Sequence, residues 1–421
     1  DALPLIKQSG SSVVAADYDQ DGDLDLFVAG RVAPGRYPTS PKSCLLQNNS
    51  NKGQVIFNDV TENVAPGLSA CGMVTSSLWT DTNNDGWFDL MLVGEFMPVL
   101  IFINQQGKSF EKITIPRSSG LWSGLTAGDY DKDGDTDYIL GNLGLNTRYR
   151  GSLTEPVCIY TKDYDRNGSL DPIMTYYLKG EKYLIPGRDE IISQISSMKL
   201  RFNNYKDYAS ATFKESFLES EIQDAEVLCS ERFETVLLKN NGLNNFDFVA
   251  LPVEAQFGPV FGMISEDLNN DGNSDVIMIG NHYGTEINTG RYDALVGLIL
   301  EGDGKANFKA VSPLSSGFFT QADGKGLAKL YKNDGSLLFI IGNNNSKMEI
   351  YKSSGKHKFT DVPENATHAV IHTRNGNYYR HEFYYGSGYL SGSSRRLMIT
   401  DQISSYELYN GTNQIKGFQK N

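Results

Sequence analysis

Short apolar runs of strand length recur along the chain, and most of them end on glycine. Leu26, Phe27, Val28 and Ala29 precede Gly30, and Leu90, Met91, Leu92 and Val93 precede Gly94. Tyr138, Ile139 and Leu140 precede Gly141, and Val276, Ile277, Met278 and Ile279 precede Gly280. Runs this short, bounded by turn residues, predict buried strands rather than helices. A shorter run at 13–16 stands upstream of the first, and others follow at 99–103, 236–238 and 246–249. Four-stranded units of ~40–50 residues repeated along a chain predict an all-β fold, a β-propeller of about seven blades, with six as the alternative count. One stretch breaks the rhythm. Ile191, Ile195, Met198 and Phe202 fall at helical spacing behind Asp189 and Glu190, which predicts a small helical insertion over 187–226 with a second helix near 206–219.

The polar segments that precede these runs carry the chemistry. Five follow the pattern D-x-[DN]-x-[DN]-G-x-x-D. Their oxygen-bearing positions are Asp17, Asp19, Asp21 and Asp25; Asp81, Asn83, Asp85 and Asp89; and Asp129, Asp131, Asp133 and Asp137. The last two sets are Asp163, Asp165, Asn167 and Asp171, and Asp267, Asn269, Asp271 and Asp275. Side-chain oxygens at positions one, three, five and nine, with the carbonyl of position seven, can wrap a hard cation. Position seven is Asp23, Trp87, Asp135, Ser169 and Asn273, and glycine at six permits the sharp turn. About five Ca2+ are expected, holding strands together rather than doing chemistry. An EF-hand is excluded: it needs a glutamate at position twelve, where this chain has Val28, Leu92, Leu140, Met174 and Met278. A sixth unit around Gly335 has Leu330, Lys332 and Leu338 at ligand positions, so no ion is expected there.

These loops resemble the FG-GAP or VCBS repeats of integrin-type calcium propellers, over about residues 12–361. The tail, from Asn375, Gly376 and Asn377 through Gly386, Gly388, Gly392, Arg395 and Arg396, resembles the ASPIC/UnbV module. That module follows such propellers in bacterial surface or secreted proteins and in the cartilage acidic protein family. The resemblance implies a propeller over 1–365 and a β module over 366–421, which either closes the ring as a last blade or forms a sheet beside it. It also implies an extracellular or outward-facing outer-membrane location, within a larger assembly or parent chain.

Composition narrows the function. The 421 residues carry a formal net charge of -13, which argues against binding a nucleic-acid backbone. Five divalent cations would offset most of that charge. No apolar run reaches the ~18–20 residues of a membrane-spanning helix. The 42 glycines, 23 tyrosines and 21 phenylalanines suit many short strands. Cys44, Cys71, Cys158 and Cys229 are compatible with two disulfides or four buried thiols. The chain opens in folded-looking sequence, which leaves a removed signal peptide or upstream domain open.

If the acidic loops share one face, the next connections emerge on the other. Three of these contain an Arg-Tyr pair: Arg36 and Tyr37, Arg148 and Tyr149, Arg291 and Tyr292. With Glu95, Asn142, His282 and Tyr283 they are expected either to line one basin for an acidic glycan or peptide, or to brace neighbouring loops. The expected function is a calcium-stabilised binding module for a cell-surface protein or glycan. No catalytic residue is assigned, since GxSxG, P-loop, GxGxxG and HExxH patterns are missing. The alternative is an enzyme of the polysaccharide lyase type, its site formed by His282, Tyr283 and the arginine cluster on the face opposite the acidic loops.

Overall fold

The computed structural model describes residues 2–6, 9–286 and 288–419. Five antiparallel sheets succeed one another. The first is Ser9–Ala16, Asp25–Val32, Cys44–Asn48 and Phe57–Asp59; the second is Met73–Thr80, Asp89–Met97, Leu100–Asn104 and Phe110–Thr114. The third is Gly124–Gly128, Asp137–Gly141, Val236–Asn240 and Phe246–Ala250, and the fourth Val260–Glu266, Asp275–Gly280, Leu298–Gly302 and Phe308–Val311. Gly324–Tyr331, Leu337–Asn343 and Glu349–Lys352 make the fifth. The first strand of each packs against the first strand of the next.

Apolar clusters fill the spaces between neighbours. Phe27, Leu45, Leu92 and Phe102 join the first sheet to the second; Met91, Ile101, Leu140 and Leu238 join the second to the third. The same holds for the third and fourth, and for the fourth and fifth. A second strand covered on both faces needs apolar residues at odd and even positions alike, which is why these strands read as continuous runs. The arrangement fits a β-propeller.

Three expectations are corrected. Among the described residues the succession runs through five sheets rather than seven or six, because the fourth acidic loop and the tail sheet both lie outside it. Residues 142–235 interrupt the third sheet and form a sheet of their own, ordered Glu181–Leu184, Asp171–Leu178, Val157–Lys162, Glu226–Ser230. The two predicted helices are replaced by five short ones among the described residues, Arg188–Gln194, Met198–Arg201, Tyr205–Ser210, Phe213–Ser216 and Glu219–Ile222. Ile195 and Phe202 leave helical dihedrals, with φ of -123° and -122°, yet both stay in one apolar cluster with Ile173, Phe213 and Phe217. The cysteines divide: Cys158 and Cys229 face each other across adjacent strands as a disulfide, while Cys44 and Cys71 are buried thiols.

The tail forms a separate sheet, ordered Tyr378–Glu382, His368–Thr373, Ile403–Asn410, Asn413–Gln419, whose strands among the described residues join none of the five. The division at 365 is crossed by pairing of Lys358–Asp361 with Arg396–Ile399. Between the fifth sheet and the first, tail residues take the intervening place. Ala15 donates its N–H to Tyr385, and Ser394 donates its N–H to Lys329.

Candidate functional site

The acidic loops share one geometry. The first aspartate accepts backbone N–H groups four and five residues on: Asp17 from Asp21 and Gly22, Asp163 from Asn167 and Gly168, Asp267 from Asp271 and Gly272. The ninth position has a job that its ligand role did not suggest. One oxygen of Asp25, Asp89 and Asp137 accepts the N–H of position two, and the other accepts an N–H from the end of the third strand. Those third strands end in Asn48, Asn104 and Asn240, and the Asn104 and Asn240 amides reach back to Tyr18 and Thr82 of the preceding sheet. Asn104 and Asn240 thus latch sheet to sheet, while the Asn48 amide donates to Leu24 within its own sheet. A repeated terminal Asn after an apolar run was visible in the sequence as their signal.

Carboxylate oxygens of Asp17, Asp19 and Asp25 lie within 4.8 Å of one another, as do those of Asp129, Asp131 and Asp137, and of Asp163, Asp165 and Asp171. In the second and fifth loops Asn83 and Asn269 stand at position three. Oxygens of Asp19, Asp23 and Asp129 are buried and accept no hydrogen bond, so the donor set fits a hard cation. Burial pushes Asp25 and Asp137 up to about 8, and Asp89, Asp129 and Asp267 to about 7. In the third loop Lys239 Nζ stands 2.5 Å from Asp131.

The tail sheet touches these loops. Arg380 pairs with Asp81 at 2.9 Å and donates its N–H to Asp129 at 3.0 Å. Glu382, which accepts from Thr80 and from the N–H of Asp81, lies 3.4 Å from the same guanidinium. All three charged side chains are at most 10% exposed, so this is a buried network.

On the opposite face, a cavity of about 280 Å3 opens among the first strands. Three β-bulges build it. Thr75, Phe261 and Lys325 each fall at a register shift near the start of a first strand, and all three line the cavity. A bulge re-aims a side chain that regular pairing would place on a sheet face. Lys325 Nζ lies 3.4 Å from the Phe261 ring centre and 2.8 Å from Asp323. Arg31 pairs with Glu95, and its other terminal nitrogen is buried without a hydrogen-bond partner. His282 Nδ1 is likewise buried and unpartnered, and burial, then Lys325, holds the imidazole below its ordinary value.

Of the expected site residues, Tyr37, Glu95 and His282 line this cavity. Tyr37 donates to Glu95 at 3.2 Å. Arg36 is exposed on a turn closed by Arg36 N–H to Ala33. Asn142 is fully buried and braces the fold, donating to Arg232. Arg148, Arg291 and Tyr292 line a second depression of about 290 Å3. There Arg148 pairs with Glu286 at 3.0 Å, Tyr149 faces Thr289, and Arg291 lies over the Tyr283 ring. The three Arg-Tyr pairs therefore do not meet in one basin. Arg31, Lys325, Phe261 and Trp122 were missed; Lys325 and Phe261 sit at the openings of first strands, which emerge on this same face.

A search of curated proteins finds none that matches the chain. Among solved structures, the crystal structure of exotype rhamnogalacturonan lyase YesX aligns over 94% of this chain and 70% of its own. Identity is 9% and the TM-score 0.35, a likeness too loose to carry an argument. Residues 81–140, from the second acidic loop through the strand after the third, match the FG-GAP-like repeat family.

Proposed function

We propose that the chain is a calcium-stabilised, five-bladed β-propeller, extracellular or exposed on a bacterial surface, that binds a carboxylate-bearing protein or glycan in its axial cavity. The calcium ligands are those named above at positions one, three, five, seven and nine of the five loops, and the tail is an ASPIC/UnbV-like module set over them. The observation that carries the binding reading is the repeated bulge. Three sheets depart from regular pairing at the same level, and each departure turns a side chain into one cavity that also holds Arg31 and His282. A buried guanidinium nitrogen without a partner suits a planar carboxylate. The Cys158–Cys229 disulfide supports an oxidising compartment, as does the FG-GAP-like match.

The test is binding of digalacturonate, in calcium, to the unmodified protein and to Arg31→Ala. Binding that drops at least ~10-fold in the variant, about 1.4 kcal/mol, supports the reading. Equal binding, or none to either protein, sinks it. A second reading, the polysaccharide lyase, is favoured by His282. A half-buried imidazole held below its ordinary value by burial and Lys325, in a cavity that also holds Arg31, suits removal of the proton next to a uronate carboxylate. The electron pair then forms the ring double bond as the C4–oxygen bond breaks, and the leaving oxygen is protonated. Absorbance of the unsaturated product separates the two readings.

A further inference from the structure

Resting on the binding reading above, we infer that the ligand is an acidic oligosaccharide that spans two subsites, the axial cavity and the outer depression. The two hollows share a wall. Leu143 lines the cavity, while Asn146, Thr147, Arg148 and Arg150, a few residues on in the same connection, line the depression. His282 lines the cavity, and Tyr292, with which it exchanges two backbone hydrogen bonds of 2.8 and 3.0 Å, lines the depression. The Thr147 and Tyr292 hydroxyls, 2.8 Å apart, knit the two connections together. Tyr37 on the cavity side is within electrostatic range of Tyr149 on the depression side. A ligand leaving the cavity over this wall meets the second set of donors next.

The depression has the chemistry for it. Three guanidinium groups, Arg148, Arg150 and Arg291, are exposed there against two nearby carboxylates, Glu286 and Asp293, on a protein of net charge -13. Arg148 pairs with Glu286 and Arg150 donates to the Leu145 carbonyl, whereas Arg291 lies over the Tyr283 ring, 5.1 Å from its centre. Local positive charge on an acidic surface concentrates anions at that place. Hydroxyls of Thr147, Thr289 and Tyr292 line the same depression as the guanidinium groups, which suits sugar hydroxyls beside carboxylates. A monosaccharide fills one hollow; a chain with a carboxylate on each residue engages both, and the second engagement is intramolecular.

The experiment compares digalacturonate, hexagalacturonate and a hexaglutamate peptide by calorimetry, in calcium. The hexamer is expected to bind at least ~10-fold tighter than the dimer. Arg291→Ala should bring the hexamer's affinity down towards the dimer's, and Arg148→Lys should do so in part, keeping the charge and losing the planar donors. Matched melting curves establish that both variants are folded. A hexamer no tighter than the dimer, or one unaffected by Arg291→Ala, overturns this inference while leaving the axial reading standing. Absence of binding by both saccharides and by the peptide overturns both. Tight binding of hexaglutamate instead assigns the surface to acidic peptides and overturns the oligosaccharide.

Discussion

At the acidic loops the residue in position four is left-handed five times over, with φ of 57°, 58°, 63°, 58° and 61° at Gln20, Asn84, Lys132, Arg166 and Asn270. The glycine two residues later is left-handed every time. On the opposite face no such repeat exists: the intervals from strand-ending glycine to arginine are 6, 7 and 11 residues. A hard cation requires oxygens at set distances, and nine consecutive residues can supply them, so the loop geometry is local and copied. The cavity is assembled from residues more than two hundred positions apart, Arg31 to Lys325, and what recurs there is a bulge in three of the sheets, not the side chain it presents. One face repeats its chemistry; the other repeats only a backbone device and varies the residue on it.

Removing the cation should break that contrast most visibly. Each site occupied at a hundredfold excess over its Kd contributes about 2.7 kcal/mol to the native state. Excess chelator should therefore lower the melting temperature by many degrees, and elemental analysis should find about five calcium ions lost. A melt unchanged after verified metal loss would mean that the loops are polar turns and the comparison is false.

Arg380→Ala comes next in size. It leaves Asp81 and Glu382 buried without their shared cation, a change that costs about 3–5 kcal/mol in comparable networks. In the calcium-loaded protein the loss should be smaller, because an ion at the second loop takes over part of the Asp81 charge. Denaturant melts with and without calcium measure both values. Equal losses in the two conditions would show that the tail and the metal sites are independent.

How far the sequence can be read follows from the same contrast. The strands and the loop residues were legible because each is defined within a few neighbouring positions. Membership in the ring was not. The loop from Asp163 to Asp171 has the same oxygen spacing as the others, although the strand after it, Asp171–Leu178, lacks the apolar run closed by glycine; its partner strands, Glu181–Leu184 and Glu226–Ser230, set it outside the succession. Thr75, Phe261 and Lys325 were invisible as cavity residues, since a bulge exists only relative to a partner register. Arg380 lies within the tail stretch that resembles the ASPIC/UnbV module, but nothing local to it announces Asp81, 299 residues away.

A pH series sharpens the comparison by a smaller amount. Asp25 and Asp137 sit at about 8 and Asp89, Asp129 and Asp267 at about 7, raised by burial. Unfolded aspartate lies near about 3.9, so between about pH 4 and 8 the folded chelated protein binds more protons than the unfolded chain. Its stability is therefore fully present below that window and is lost as pH rises through it. Calcium replaces the protons, so the loss should shrink or reverse in the loaded protein, with calcium affinity rising with pH. Melts at about pH 5 and 8 decide it: a chelated protein more stable at the higher pH would contradict the sign.

The smallest effect belongs to Asp334, at the turn where the repeat fades. Its turn is closed by ordinary hairpin bonds, Lys332 N–H to Ser336 and Gly335 N–H to Lys332. Asp334 accepts the Ser336 N–H at 2.9 Å, and Lys332 and Lys356 each stand 3.8 Å from its carboxylate. Two ammonium groups thus lie where the other loops gather oxygens, and the aspartate is half exposed. Exposed pairs of this kind contribute about 0–1 kcal/mol, and salt screens them. Asp334→Ala should leave the melting curve nearly unmoved and the calcium count unchanged. Asp137→Ala, which strips a buried ligand and a third-strand anchor, should lower both. If Asp334→Ala instead released a calcium ion, the turn would belong with the acidic loops, and the metal would not require the oxygen spacing that separates the two faces.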